Sequence, residues 1–264
     1  MIKYKENAFG EIMIWNILTG EPRMNFLQNM LINEKITNLN IPSIEVLPIP
    51  VTRDGEYITG SRILLKDFFS NLPKNSLVFC GRKDFIPNNV KINNKIYDYA
   101  DNELFLLKNA ELTAHGAIKI LYENLQKPVN KAKILITGFG RIGKNLTKML
   151  TSLEAEVYVL GNKLEDFFWI NKTGAIALSS LENFNICHDF VINTIPKMIF
   201  NEKNTKNFDK NTVFLEIASK PGIDKNLCTN FKHILALGIP GKFFPQYAAE
   251  IIKESIINII NSGV

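Results

Sequence analysis

Three glycines in a GxGxxG pattern, Gly138-Phe139-Gly140-Arg141-Ile142-Gly143, directly follow the short apolar strand predicted at Ile134–Thr137. An amphipathic helix and a second strand, Val157–Leu160, come next, so the segment is typical of a βαβ unit. In such units the first glycine allows the tight turn, the second leaves room for a pyrophosphate, and the third lets the helix pack on the strand. Since a helix N-terminus also attracts phosphate, these six residues are predicted to bind a dinucleotide.

The end of the second strand indicates which dinucleotide is bound. An NAD site usually has a carboxylate there, about 20 residues past the glycines, to accept the ribose 2′-hydroxyl. This chain has Gly161-Asn162-Lys163 instead, with no acid until Glu165. Asn162 can donate a hydrogen bond and Lys163 can pair with a 2′-phosphate, so the sequence favours NADP(H). The alternative is that Lys163 is an ordinary solvent-exposed turn residue.

The composition of the chain indicates which kinds of ligand it binds. The chain has 264 residues, of which 46% are hydrophobic, and a net charge of +5. Its lysines are scattered, so we expect anionic small molecules and no nucleic acid. The cysteines and histidines lack the spacing of a disulfide framework or metal site; they are Cys80, Cys187, Cys228, His115, His188 and His233. Without an apolar leader or a membrane-length apolar run, the chain is expected to be soluble, cytoplasmic and metal-free.

Strands and helices also alternate in the first 112 residues, which predicts a second parallel sheet. The predicted strands there are 11–18, 44–51 and 76–80, and the predicted helices are 24–33 and 64–72, with a turn at 54–55. Thr113 is predicted to be the N-cap of a helix over 114–126. The expected α/β architecture has two Rossmann-like lobes, each with a parallel sheet. Residues 113–244 form the NADP-binding lobe, and residues 1–112 form a substrate or partner lobe to which the C-terminal helix, 245–264, returns.

Several sequence blocks together point to a family. They are Thr113-Ala114-His115-Gly116-Ala117-Ile118, the glycine loop, Ile192-Asn193-Thr194-Ile195-Pro196, Ala218-Ser219-Lys220-Pro221-Gly222, and Leu237-Gly238-Ile239-Pro240-Gly241-Lys242 with Pro245. Their order and spacing resemble the A subunit of bacterial dipicolinate synthase, from about residue 10 to the end of the chain. The glycine loop is common to many folds, whereas the Ala-Ser-Lys-Pro-Gly and Gly-Ile-Pro-Gly blocks are much more specific.

The resemblance implies a concrete activity. It implies NADP-dependent oxidation of a dihydro- or hydroxytetrahydrodipicolinate, derived from lysine biosynthesis, to the dipicolinate that fills bacterial endospores. It also implies that the partner is the flavoprotein-like B subunit, and that the protein is located in the mother cell of a spore-forming bacterium. Whether the chain forms a homo-oligomer is left open.

Candidate ligand contacts lie in loops and at predicted strand or helix ends. For the nicotinamide side of the cofactor they are Asn193, Thr194, Ile195 and Pro196. A dicarboxylate needs cationic or N–H-rich contacts. The substrate candidates are Arg23, Thr113, Ala114, Ser219, Lys220, Gly238, Pro240, Gly241 and Lys242. His115 and Lys220 are the candidate catalytic residues, although His115 facing a domain interface and Lys220 being merely solvated are the alternatives.

The chain also departs from the family pattern. Its first lobe is shorter, His115 stands where the family usually has an acid, and Lys242-Phe243-Phe244 replaces a small residue. Two other functions therefore stay open. One is another two-lobed NADP dehydrogenase with the layout of shikimate dehydrogenase, for which Lys66-Asp67 is a stray candidate for the catalytic pair. The other is a non-catalytic nucleotide-binding scaffold protein.

Overall fold

The computed structural model describes most of the chain after residue 69 and parts of it before. The described residues are 5–6, 12–13, 15–19, 21–32, 34, 43–49, 51–53, 56–58, 69–86, 88–182 and 188–263. The turn at 54–55, Lys66, Asp67, most of the helix predicted at 64–72, and Cys187 lie outside these residues. By its internal contacts the chain divides into two compact units, residues 1–109 with 240–264, and residues 110–239.

The first unit is built on a parallel four-stranded sheet in the order β3-β4-β7-β8. Its strands are β3 (Trp15–Ile17), β4 (Ile44–Val46), β7 (Leu77–Cys80) and β8 (Lys95–Asp98). Two short antiparallel pairs accompany it: β1 (Lys5–Glu6) with β2 (Ile12–Met13), and β5 (Val51–Arg53) with β6 (Glu56–Ile58). All four residues of β7 are buried, which is typical of a parallel strand with both faces covered.

Helices with described bounds contribute to this unit, in whole or in part. They are α1 (Pro22–Leu31), α2 (Asn88–Asn93), the start of α3 (Glu103–Asn124), α7 (Ile239–Phe243) and α8 (Pro245–Asn261). The C-terminal helix α8 packs against α1, and the hydroxyl of its buried Ser255 donates to the Tyr99 carbonyl at 2.7 Å. The C-terminal helix therefore belongs to the first unit.

The second unit contains a parallel six-stranded sheet in the order β11-β10-β9-β12-β13-β14. Its strands are β9 (Lys133–Thr137), β10 (Glu156–Leu160), β11 (Ile176–Leu178), β12 (Phe190–Asn193), β13 (Val213–Glu216) and β14 (Lys232–Leu235). Its helices besides α3 are α4 (Arg141–Ser152), α5 (Leu164–Lys172) and α6 (Glu202–Thr205). This is the 3-2-1-4-5-6 order of a dinucleotide-binding sheet, whose direction of winding changes between β9 and β12. The predicted α/β class with two Rossmann-like parallel sheets is confirmed.

The prediction that Thr113 caps a helix is wrong. Helix α3 begins eleven residues before the predicted start at Ala114. Its first residue is Glu103, and its cap is Asn102, whose side-chain oxygen accepts the Phe105 N–H at 2.7 Å. Residues 103–112 contain good helix formers and neither glycine nor proline, so nothing stops the helix before Thr113. Thr113 is buried inside the helix, and Thr113 and Ala114 therefore offer no helix N-terminus to an anion.

Candidate functional site

The glycine loop joins the carboxyl end of β9 to the N-terminus of α4. Gly138 adopts a positive φ of 93°, and its N–H donates to the Leu160 carbonyl at 3.0 Å. A Cβ on Gly138 would lie 2.7 Å from the Thr194 hydroxyl oxygen, so both the backbone angle and the space require glycine. A Cβ on Gly143 would lie 2.0 Å from the Gly138 carbonyl oxygen, because the backbone of α4 directly contacts the backbone of the loop at this point.

Gly140 differs from the other two glycines. It is the N-cap of α4, it has no side chain with which to cap the helix, and a Cβ at this position would meet no atom within 4 Å. The space above it is therefore open, and the first N–H groups of a helix have no intrahelical acceptor. The loop fits a pyrophosphate, because Gly138 makes the turn, Gly140 leaves space for the phosphates, and Gly143 lets helix α4 pack closely on the strand end. The predicted roles of Arg141 and Ile142 in phosphate binding stay predictions.

A carboxylate lies at the end of β10 that the sequence analysis did not expect. An oxygen of Asp166 accepts the N–H of Asn162 at 3.1 Å and the N–H of Lys163 at 3.2 Å, which closes the first turn of α5. The Asp166 carboxylate thus caps its own helix. The side chains of Asn162 and Lys163 are exposed beside it, so the loop presents one amide and one cation to solvent.

The next two strand ends are joined by a buried polar network. The register places Thr137 opposite Asn193 and Asn193 opposite Glu216, at the carboxyl ends of β9, β12 and β13. The Thr137 hydroxyl donates to the Asn193 side-chain oxygen at 2.5 Å, and the Asn193 amide donates to Glu216 Oε1 at 2.7 Å. All three side chains are at most 1% exposed. The network therefore holds the three strand ends together beside the glycine loop.

Glu216 also anchors the loop that carries the Ala-Ser-Lys-Pro-Gly block. Its Oε1 accepts the Ala218 N–H at 3.2 Å, and its Oε2 accepts the Gly222 N–H at 2.7 Å. Burial raises the pKa of the Glu216 carboxyl, while the hydrogen bonds from Gly222, Asn193 and Ala218 oppose the rise. Ser219 and Lys220, between the two anchored N–H groups, are exposed.

These contacts change the role predicted for Asn193. Its side chain is fully buried, and its amide also donates to the Ile195 carbonyl at 3.1 Å. The Asn193 side chain therefore orders the strand ends and does not face a ligand. Thr194 and Ile195 are partly exposed beside Gly138, and Pro196 is exposed, so these three residues stay candidates for the nicotinamide side.

Two substrate candidates of the first unit lie together. Arg23 is buried near the start of α1, and a Cβ on Gly241 would lie 3.5 Å from the Arg23 Cδ and Nε atoms. However, Arg23 forms a two-pronged ion pair with Glu21, which includes a 3.0 Å contact from its Nη2. Since Glu21 neutralises it, Arg23 is not the free cation that the sequence analysis expected for a dicarboxylate.

The remaining candidates lie in exposed or turn positions. His115 is exposed on the middle of α3, and Lys242 is exposed on α7. Gly238 has a positive φ of 68° in the turn before α7, and Pro240 is buried. These placements leave the predicted roles of His115, Gly238, Pro240 and Lys242 as predictions.

No group of three or more His, Cys, Asp or Glu side chains in the described part of the chain is arranged to hold a metal ion. Likewise, none of the described helices is long and apolar enough to cross a bilayer.

No family model matches the chain. The A subunit of dipicolinate synthase from Bacillus subtilis (strain 168) is 22% identical over 237 residues, covering 81% of this chain and 76% of that protein. The chain resembles this dipicolinate synthase family. The resemblance predicted from the sequence blocks is thereby confirmed.

Solved structures agree in fold. The crystal structure of the same B. subtilis protein aligns with a TM-score of 0.75 at 20% identity, covering 93% of this chain and 97% of that one. The corresponding dipicolinate synthase protein of Bacillus halodurans gives a TM-score of 0.76 at 19% identity with the same coverage. An L-alanine dehydrogenase aligns with a TM-score of 0.58 at 11% identity, covering 98% of this chain and 90% of that one. The chain therefore has a Rossmann fold of the dehydrogenase type.

Proposed function

We propose that the chain is the NADP-binding oxidoreductase component of a two-component enzyme that oxidises a dihydro- or hydroxytetrahydrodipicolinate to dipicolinate. The observation that carries the cofactor part is the open N-terminus of α4 above Gly140, at the point where the sheet changes direction. The similarity to the A subunit of dipicolinate synthase supports dipicolinate as the product and a second subunit as partner. In this proposal the partner is the flavoprotein-like B subunit, and the protein acts in the cytoplasm of a sporulating cell. In this proposal residues 113–244 bind the nucleotide, and the rest forms the substrate or partner lobe.

The loop after β10 supports NADP over NAD. An NAD site needs a carboxylate oxygen for the ribose 2′-hydroxyl. Asp166 lies near the end of β10, but its Oδ2 atom already accepts the N–H groups of Asn162 and Lys163. Only the backbone N–H of Lys163 takes part in the cap of α5. Its side chain is exposed, so the ammonium group can approach a 2′-phosphate.

Nicotinamide, when bound, supplies the hydride-accepting ring. The chain's own residues would bind and orient the dicarboxylate. Lys220 is the best-placed cation of the second unit, because the Glu216 carboxylate fixes the backbone on both sides of it. Ser219 beside it can donate a hydrogen bond, and His115 is the candidate proton acceptor. In the first unit, Lys242 follows Gly241 and is the exposed cation of that block.

Calorimetric titration with NADPH and NADH tests the cofactor assignment. We expect tighter binding of NADPH, and we expect Lys163→Asp to weaken it by about 1–3 kcal/mol, the scale of a lost charge-assisted hydrogen bond. Gly140→Ala should abolish most nucleotide binding, since the added methyl group would fill the open space above the helix N-terminus. Because alanine is a poorer N-cap residue than glycine, the unfolding midpoint should fall slightly. Equal affinity for the two nucleotides would contradict the NADP assignment, and full binding by Gly140→Ala would contradict the site.

A separate assay tests the reaction. The chain and its partner would be incubated with NADP⁺ and freshly generated dihydrodipicolinate, and dipicolinate measured by mass spectrometry. Lys220→Ala and His115→Ala should each lower the rate while leaving NADPH affinity nearly unchanged. If NADPH binds but no dipicolinate forms with wild-type protein, the substrate assignment is wrong and only nucleotide binding stands.

A further inference from the structure

Helix α5 presents a cluster of apolar side chains to solvent. Leu164 is 85% exposed, Phe168 55% and Trp169 59%, whereas Ile170 on the opposite face is completely buried. The rings of Phe168 and Trp169 meet edge to face, with centroids 5.4 Å apart. Single exposed apolar residues are ordinary, but a contiguous aromatic cluster on one helix marks an interaction surface.

The two ends of the same helix carry opposite charges. Glu165 lies in the first turn and Lys172 in the last turn. The Lys172 ammonium lies 5.6 Å from the centroid of the Phe168 ring, which places it on the aromatic face. Glu165 and Lys172 are seven residues apart, or about 10 Å along the helix axis. The midpoint between them falls between Phe168 and Trp169.

This arrangement is self-complementary. We propose that α5 pairs antiparallel with α5 of a second copy of the chain, about a two-fold axis that passes beside Phe168 and Trp169. In that register Glu165 of each copy faces Lys172 of the other, and Phe168 of each copy packs on Trp169 of the other. A two-fold interface uses the same patch on both copies, so every contact occurs twice.

The area of this cluster sets the expected strength of the dimer. One nine-residue helix offers less area than the roughly 1,200–2,000 Å² of a stable interface. We therefore expect a weak dimer that depends on protein concentration. This inference does not rest on the proposed function.

Charge reversal on the full-length protein tests the register. Glu165→Lys and Lys172→Glu would each be studied by sedimentation velocity from micromolar to near-millimolar protein, next to the wild type. Each single variant puts like charges together at two symmetric sites, so we expect dimerisation about tenfold weaker. The double variant restores opposite charges at both sites, and an equimolar mixture of the two single variants does the same in a heterodimer. Both should dimerise nearly as well as the wild type.

The double variant also separates this interface from a mere effect on helix stability. Both reversals oppose the helix dipole, so a stability effect alone makes the double variant the worst of the three. Trp169→Ser should abolish the dimer, while Ile92→Ser on α2, where Ile92 is 82% exposed, should leave it unchanged. A wild-type chain that stays monomeric at every concentration would overturn the proposal. So would a double variant no better than the single ones, or a dimer indifferent to Trp169→Ser.

Discussion

Replacing Glu216 with alanine removes the acceptor of three hydrogen bonds at once. The donors are the Asn193 amide and the N–H groups of Ala218 and Gly222, at 2.7, 3.2 and 2.7 Å. Leaving a buried donor without an acceptor costs about 1–3 kcal/mol. Burial raises the pKa of the Glu216 carboxyl, which means that its charged form is itself unfavourable in the folded chain. Removing that buried charge offsets part of the cost. We expect a loss of about 3 kcal/mol in the free energy of unfolding of the second unit, a large part of a typical domain's total.

The chain provides a convenient probe for this measurement. It has two tryptophans, Trp15 in the first unit and Trp169 in the second. In a Trp15→Phe background, urea unfolding followed by tryptophan fluorescence reports on the second unit alone. Since Trp169 is already 59% exposed, the signal is the loss of its ring contact with Phe168, and it is measured at low micromolar protein, where the proposed dimer is not populated. That matters because a chain of two units need not unfold in one step. Variants are compared by the urea concentration at the midpoint of unfolding, provided that the slope of the unfolding free energy against urea is unchanged.

The matched control is Glu202→Ala. Glu202 lies in the first turn of α6 in the same unit and is exposed. A surface carboxylate at a helix N-terminus contributes at most about 1 kcal/mol, so this variant should be nearly neutral. If Glu216→Ala and Glu202→Ala destabilise the unit equally, the buried network does not hold the strand ends together.

Sequence reasoning succeeded where the determinants are local. The glycine loop needs only its own residues and the strand and helix around it, and the structure places Gly138 in the tight turn and Gly143 at the helix–strand contact, as expected. The pyrophosphate contact of Gly140 stays a prediction. The strand predicted at Ile134–Thr137 is likewise found, within β9, because its apolar run ends at the first glycine of the loop.

It failed where the partner lies elsewhere in the chain. Glu216 is a lone acid in the apolar run Val213–Ala218, which was the available signal, but its amide partner Asn193 comes from another strand. Only the strand register brings the two together. The sequence does not reveal the position of Asp166, because it lies six residues beyond the strand end, although the helical turn brings its carboxylate back to the Asn162 N–H. A lone acid between apolar neighbours is therefore a site signal in its own right, since burial forces it to find hydrogen-bond donors.

Two further predictions concern the second unit. Gly143→Ala, whose methyl group would lie 2.0 Å from the Gly138 carbonyl oxygen, should lower the urea midpoint and nucleotide affinity together. Stability should also fall in mild acid because of His188, which is 1% exposed and packs edge to face on Tyr158. Burial lowers the pKa of His188 from 6.5 to about 4. Between these values the unfolded chain binds the proton and the folded chain does not, so the stability present above pH 6.5 is lost as pH falls towards 4. At about 1.4 kcal/mol per pKa unit, the loss approaches about 3 kcal/mol. Urea midpoints of the Trp15→Phe protein across this range, compared with His188→Gln, measure the effect. A slope that His188→Gln leaves unchanged would assign the acid sensitivity to other groups.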